Sequence, residues 1–589
     1  MERRPATVAG MTQSLSGIGG DEEIELEELV PNRDRLIADA CELAGGANRD
    51  LVERYWRLVP DEELIDHSPA DMLRSTIEHA HLAQQRLPGE LKFEVSTGGE
   101  GHTSITIVTD DMPFLVDSMT AALASEGLDI HLLVHPQIVV TRDRDGQLDA
   151  VHPTVDADDA GPGQIVESWM RINVDRVRDD AASATLEEAI RHVLTDVRHV
   201  NDDWPKLRDQ ALSLADELLE AKLPVPEKDI TDTVELLRWL AADNFTLVGY
   251  REYELVNGEY LQAVPGTGLG ILNKESTQQR ALSSMTPEAY AKALEQRLLI
   301  ITKANSRATV HRTAYLDYIG IKTFDIAGNV TGEKRFLGLF GSGAYLHSVR
   351  ELPVIRRKVA EVIERSGLSP RSHSGKDLME ILETYPRDEL FQISTNELHA
   401  IAMGVLRLAG RRQLKLFLRK DAYGRFISCM VYLPRDRFTT ANRLKMQEIL
   451  TQELNGIGVD YTTRVSESTL ARVHFIVRTD PTHPPVDINV DAITEQLSDA
   501  TRLWADDFRL VLERKVGEAQ EKQLFARYID AYPQTYKDEQ TPYEAVKDIA
   551  KLELVDSPGE LALHLFVRRP NNADLRFKVF RYGEPMLLS

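Results

Sequence analysis

The sequence has 589 residues, more than one compact core accommodates, so several domains are expected. Its 94 Asp and Glu against 69 Lys and Arg give a formal charge of −25, which argues against broad binding to nucleic acid or anionic membrane, since both need basic surface. Cys41 and Cys429 alone make no disulfide framework or thiolate metal cluster, no apolar run reaches the roughly 18 residues of a membrane helix, and the N-terminus lacks a signal-peptide core, which predicts a cytoplasmic protein.

Residues 1–30 read as a flexible acidic lead-in, with Asp21-Glu-Glu-Ile-Glu-Leu-Glu-Glu28 after a glycine cluster. Residues 31–88 read as helical, from the spacing of Leu36, Ala40 and Leu43 and the segment 70–86. Residues 89–203 form a first α/β unit. Ile105, Ile107 and Val108 mark a buried strand, and Asp110 and Asp111 end it as candidate helix N-caps. Pro113 suits a first helical turn, and Met112, Val116, Met119 and Leu123 form an apolar helical stripe stopped by Gly127. Strands at 132–141 and 167–174 and a helix at 186–200 complete a strand–helix–strand layout of ferredoxin-like type.

Residues 204–229 read as a helical linker. Within 230–350, a helix over 231–242 is capped by Thr231 or Asp232. The alternation from Phe245 to Val256 then predicts a strand turning at Asn257-Gly258. A second hairpin spans 315–340, turning at Ala327-Gly328-Asn329, so an antiparallel sheet with helices on one side is expected. Residues 351–409 are helical, with a capping box at Ser394 and Glu397. Leu414-Lys-Leu-Phe-Leu-Arg-Lys420 then recurs as Leu563-His-Leu-Phe-Val-Arg-Arg569, an internal repeat. The first copy, 410–480, adds a helix carrying Met446, Ile449, Leu450 and Leu454 and two return strands. A helical linker, 481–557, separates it from the second copy at 558–589, which lacks the helix and return strands. A two-stranded hairpin alone is marginal in water, so the chain is expected to stop inside a domain.

Three segments suggest chemistry. Gly266-Thr-Gly-Leu-Gly270 lacks the spacing and following helix of a dinucleotide fingerprint and reads as a loop. Ser372-His-Ser-Gly-Lys-Asp377 resembles the tail of a phosphate loop, but its first glycine is misplaced, and Ser374 as an N-cap explains it better. Lys303 to Arg312 is a basic stretch. It reads either as an edge strand with solvated cations or as a contact for an acidic surface or anion through Lys303, Arg307, His311 and Arg312. His131 and His135, four apart in a strand, do not converge on a metal, and no metal site is expected.

Taken together, Thr109-Asp-Asp-Met-Pro-Phe-Leu-Val-Asp-Ser118, Asp243-Asn-Phe-Thr-Leu-Val-Gly-Tyr250, Gly266 to Ile271, Lys303 to Arg307, Tyr315 to Gly320, Arg335 to Phe340 and Glu383 to Phe391 resemble the N-terminal half of the large bacterial NAD-dependent glutamate dehydrogenases. The resemblance implies an α+β multidomain fold. ACT-like, ferredoxin-like modules would occupy 89–203, 410–480 and the start of a third at 558–589, with a PAS-like domain at 230–350 and helical linkers. It implies a parent enzyme that deaminates L-glutamate oxidatively to 2-oxoglutarate and ammonia with NAD. Its dehydrogenase domain would lie further along, so no catalytic residue and no NAD site are expected here. ACT domains commonly bind effectors between first strand and first helix. That corner holds Asp110, Asp111, Met112, Phe114, Asp117 and Ser118, where helix amides would hold a carboxylate and Asp111 or Asp117 an ammonium. The expected partners are an amino-acid effector, further copies of the chain in a homo-oligomer, and the C-terminal dehydrogenase domain. The alternatives are a non-catalytic ACT/PAS sensor and a purely structural oligomerisation module.

Overall fold

The computed structural model describes residues 33–583 except 47, 65–66, 98–100, 275–278, 282–286, 409–410, 466–467, 481–484, 486, 556–559 and 570–571. The acidic lead-in therefore lies outside the described residues. The chain divides into two compact units, of which the first comprises residues up to 279 and 296–346.

The first unit contains two antiparallel sheets. In one, the strands Lys92–Thr97, His102–Asp110, Ile165–Asp175, Gln137–Arg142 and Leu148–Val151 lie side by side, with Ile130–Val134 also paired to Ile165–Asp175. The N-terminal helices complete its core. Tyr55, Trp56 and Met72 pack with Val108, Val134, Ile138 and Trp169. Tyr55 Oη lies 2.7 Å from His79 Nδ1, and His79 Nε2 lies 3.0 Å from the Ile107 carbonyl. Burial pushes His79 down to about 3, so the ring is neutral at physiological pH, donating from Nε2 and accepting at Nδ1.

The helix expected at 186–200 and the start of the helical linker expected at 204–229 are one helix, Asp180–Glu220, that runs through Pro205. Proline removes one helical hydrogen bond. The buried face continues across it through Val197, Val200, Leu207, Ala211 and Leu214, and that packing holds the helix together. The next helix is Glu227–Trp239 with Pro226 at its N-cap, so neither Thr231 nor Asp232 caps it; both lie inside.

The second sheet runs Tyr260–Ala263, Phe245–Val256, Val330–Phe340, Tyr315–Phe324 and Leu299–Arg307 in that order. Asn257 and Gly258 both take positive φ, as a primed hairpin turn requires. Phe245, Phe336 and Phe340 are fully buried, with Phe245 and Phe340 edge to face at 5.1 Å. Gly338 lies under Phe245: a Cβ there would stand 2.2 Å from the Phe245 ring and 2.2 Å from the Thr246 carbonyl. The carbonyl cannot rotate away, so Gly338→Ala is expected to destabilise this sheet by about 3 kcal/mol, the upper end of overpacking penalties. Thermal denaturation checks this against Gly458→Ala, where an added Cβ meets open space and no loss is expected.

The second unit comprises residues 280–295 and 347–589. The helices Ile355–Ser366, His373–Thr384, Arg387–Gln392 and Thr395–Leu408 precede a four-stranded sheet ordered Lys415–Lys420, Phe426–Pro434, Leu470–Thr479, Gly456–Arg464. The capping box forms: Ser394 N–H donates to Glu397 Oε2 at 3.2 Å and Glu397 N–H to Ser394 Oγ at 3.3 Å. Ser372, rather than Ser374, caps the helix His373–Thr384, accepting from the Gly375 N–H at 3.1 Å. A further group of helices buries Phe508, Leu512, Tyr528 and Tyr532, and the hairpin Leu561–Arg569 with Asn572–Arg581 follows. Among the described residues no helix is long and apolar enough to cross a membrane.

Candidate functional site

The corner after the strand His102–Asp110 does not use its carboxylates as caps. Asp110 Oδ1 accepts from Arg86 Nη2 at 2.6 Å, and Oδ2 accepts from Arg198 Nη1 at 2.7 Å and from the Gly89 N–H at 3.1 Å. Arg86 continues to Glu167, donating from Nε at 2.9 Å and Nη2 at 2.8 Å. Arg142 donates to the same carboxylate at 2.7 and 2.9 Å, and Trp169 Nε1 at 3.0 Å. Arg86 and Glu167 are completely buried. Burial works to raise both carboxyls, but the arginines outweigh it: Arg86 and Arg198 hold Asp110 below its ordinary value, and Arg142 and Arg86 do so for Glu167. Three guanidinium groups thus join three strands, the long helix and the loop before the first strand into one ionic network.

The helix itself begins at Leu115, with Phe114 at the N-cap in left-handed backbone at φ +73° and no side-chain cap. Pro113 therefore precedes the cap instead of occupying the first turn. Asn201 Nδ2 donates to the Pro113 carbonyl at 3.1 Å. Asp111 stays at the rim, accepting from Gln137 Nε2 at 2.7 Å. His135 stands nearby; burial lowers its pKa and the Asp111 charge opposes that.

Phe114, Asp117 and Ser118 face another part of the first unit, the turn between the strands Leu299–Arg307 and Tyr315–Phe324. The His311 N–H donates to Ser118 Oγ at 2.9 Å, His311 Nδ1 stands 3.2 Å from Asp117 Oδ2, and the His311 ring lies 5.2 Å from that of Phe114. His311 also takes positive φ, at +77°. Non-glycine residues at positive φ persist where surrounding contacts over-determine them. Met112 is half-buried.

The structure therefore brings together residues that the sequence placed in two separate candidate groups. Of the basic group, His311 meets the corner. Lys303 Nζ pairs with the buried Asp317 at 2.7 Å. The Arg307 guanidinium lies over the Tyr315 ring at 4.6 Å, and Arg312 Nη2 donates to the Phe340 carbonyl at 3.1 Å. Leu299–Arg307 is indeed an edge strand, but Lys303 is committed to the interior. Arg86, Arg142, Arg198 and Glu167 were not singled out in the sequence. Their signal is faint: Glu167 opens a strand that is otherwise buried, and each arginine sits far from it in sequence.

Gly266 to Gly270 does not fit a pyrophosphate cradle. The Gly270 N–H already donates to Asp203 Oδ2 at 2.9 Å, and Leu269–Gly270 pairs with the strand Phe245–Val256. A Cβ on Gly268 or Gly270 would stand 2.2 Å from the carbonyl of Leu272 or Val248, so these glycines serve close backbone packing.

Four segments match glutamate dehydrogenase family descriptions: residues 51–190 the ACT1 domain, 352–411 helical motif 1, 415–505 the ACT2 domain and 511–555 helical motif 2. The NAD-specific glutamate dehydrogenase of Halomonas elongata is 34% identical over 96% of the chain, and that of Pseudomonas aeruginosa 33% identical over 92%. The chain belongs to the NAD-specific glutamate dehydrogenase family. A Mycobacterium tuberculosis relative with the same description is 31% identical over 84% of the chain. The chain spans about a third of the length of these curated relatives, namely 36%, 34% and 30%. The ACT1 match takes in the corner and the ionic network apart from Arg198, and the ACT2 match the four-stranded sheet of the second unit.

Proposed function

We propose that this chain is the regulatory and assembly region of a cytoplasmic NAD-dependent glutamate dehydrogenase. The parent enzyme deaminates L-glutamate oxidatively to 2-oxoglutarate and ammonia, with NAD bound by a further, dehydrogenase domain. This region carries no catalytic residue and no NAD site. Its PAS-like sheet domain and ACT-like modules sense a small effector and join subunits of a homo-oligomer. The observation behind this reading is the joint between corner and sheet, where Phe114, Asp117 and Ser118 meet His311. Asp110 is engaged by Arg86 and Arg198, so an amino acid held at Asp111 and Met112 beside it would bear on that joint. It would shift the enzyme only by binding its two arrangements unequally.

Calorimetry of the 589-residue chain against a panel of amino acids tests the effector role. One ligand is expected to bind and raise the melting temperature, and Asp111→Ala to abolish both effects. Silence across the panel, with Asp111→Ala indistinguishable, overturns it. The assembly role is tested separately. Mass measurement in solution is expected to show dimers or larger species; a strict monomer at high concentration overturns it.

A further inference from the structure

The second unit contains a cleft of about 420 Å³ that the corner reading does not use. One wall is the helix His373–Thr384, which presents Asp377 and Glu380; the floor is apolar, with Ile381, Val405 and Leu406; the other wall is one end of the neighbouring strands Gly456–Arg464 and Leu470–Thr479, with Arg464 and Arg472.

Those two arginines are directly opposite each other on neighbouring antiparallel strands. Like charges in that register repel. Neither has an ion-pair partner among the described residues. Arg472 donates from Nη1 to the Thr384 carbonyl, while its buried Nε has no partner. Burial, with the Arg464 charge adding to it, lowers the Arg472 pKa. Arg464 stands exposed at the mouth. Across the cleft, Asp377 and Glu380 are exposed and equally without ion pairs among the described residues. Two cations and two carboxylates thus line one space of ligand size without neutralising one another. A guanidinium pair is a fork for a carboxylate, and a carboxylate pair suits an ammonium.

We infer that this cleft binds a free α-amino acid with an apolar side chain, its carboxylate between Arg464 and Arg472, its ammonium at Asp377 and Glu380, and its side chain on Ile381, Val405 and Leu406. The inference is independent of the corner, which lies in the other unit. The site bridges the segments matching helical motif 1 and the ACT2 domain, so occupancy would fix one against the other.

The test is calorimetry of the whole 589-residue chain with L-leucine as probe. 4-Methylpentanoate, which lacks the ammonium, 3-methylbutylamine, which lacks the carboxylate, and inorganic phosphate are the comparison ligands. L-Leucine is expected to bind, and Arg464→Gln to weaken it about tenfold or more, the effect of losing a charge-assisted contact. Glu380→Gln is expected to weaken L-leucine while leaving 4-methylpentanoate unchanged. Without ligand, Arg464→Gln is expected to melt no lower than the parent chain, because the substitution relieves a repulsion; that keeps the binding result separate from misfolding. No heat with L-leucine overturns the inference. Equal binding of phosphate overturns the amino-acid class and leaves an anion site. L-Leucine binding that survives Arg464→Gln but disappears in Asp111→Ala overturns it in favour of the corner.

Discussion

Glu167→Gln is expected to destabilise the first sheet domain by about 3–5 kcal/mol, the cost of removing one partner from a buried ionic pair. The substitution keeps the shape of the side chain and removes its charge. Arg86 and Arg142 are then left in the interior facing an amide, and Arg86, completely buried, keeps the outer carboxylate of Asp110 as its ion-pair partner and the Glu90 carbonyl, 2.9 Å from Nη1, as a neutral acceptor. In a chain of several domains a single melting curve mixes transitions. Hydrogen exchange read on peptides covering 102–110 and 165–175 isolates the effect. At about 1.4 kcal/mol per tenfold, protection there should fall by about two to three and a half orders of magnitude. A change below about tenfold would mean that apolar packing around Trp169 carries this domain and the network is incidental.

The same network sets an acid limit with a definite sign. Asp110 and Glu167 both titrate below their ordinary values of 3.8 and 4.5 in the folded state. The folded protein therefore binds fewer protons than the unfolded chain across that window. The stabilisation is complete above the ordinary values and is lost as pH falls through the depressed ones. Glu167→Gln removes one of the two titrating groups, so the exchange protection of these strands should vary less with pH below 4.5 in the variant than in the parent.

The α+β class, with apolar strands and helices between them, was legible because apolar patterning along the chain is a local signal. Phe245 to Val256 and its turn at Asn257-Gly258 follow from alternation and from two residues that accept positive φ. The helix Asp180–Glu220 was read as a helix at 186–200 and a separate helical linker, because the packing of Val200, Leu207 and Ala211 that carries it through Pro205 is tertiary. Capping was legible where the reciprocal pair lay within four residues, as at Ser394 and Glu397. It was misassigned at Asp110, whose partners Arg86 and Arg198 lie 24 and 88 residues away. A carboxylate at the end of a strand looks the same in sequence whether it meets amides or guanidinium groups. The joint was hidden for the same reason: Ser118 and His311 are 193 residues apart. Family words located the corner, but only the folded chain shows that part of it is already engaged.

Arg419→Met is expected to cost the second unit about 3–5 kcal/mol, and the double variant Arg419→Met with Glu389→Leu distinctly less. Glu389 is buried on a short helix of the segment matching helical motif 1. It accepts from Arg419 Nε at 2.9 Å and Nη2 at 2.7 Å, a bidentate pair linking that helix to the first strand of the ACT2 match. Burial works to raise the Glu389 carboxyl, and Arg419 holds it below its ordinary value. His474 supplies no replacement charge: burial lowers it to about 4, and its Nε2 lies 2.9 Å from Ser428 Oγ. Without Arg419 the carboxylate faces a neutral interior, and its pKa must move above the unfolded value. The sign of the pH dependence then reverses. The single variant is relatively most stable where Glu389 is protonated and loses stability as pH rises through the raised folded value. The double variant removes the charge altogether and should show no such loss. Urea unfolding followed by exchange on peptides covering 387–392 and 415–420, at pH 5 and pH 8, separates the three proteins. If the double variant is as unstable as the single one, the pair stabilises through its hydrogen-bond geometry and not through compensation of buried charge.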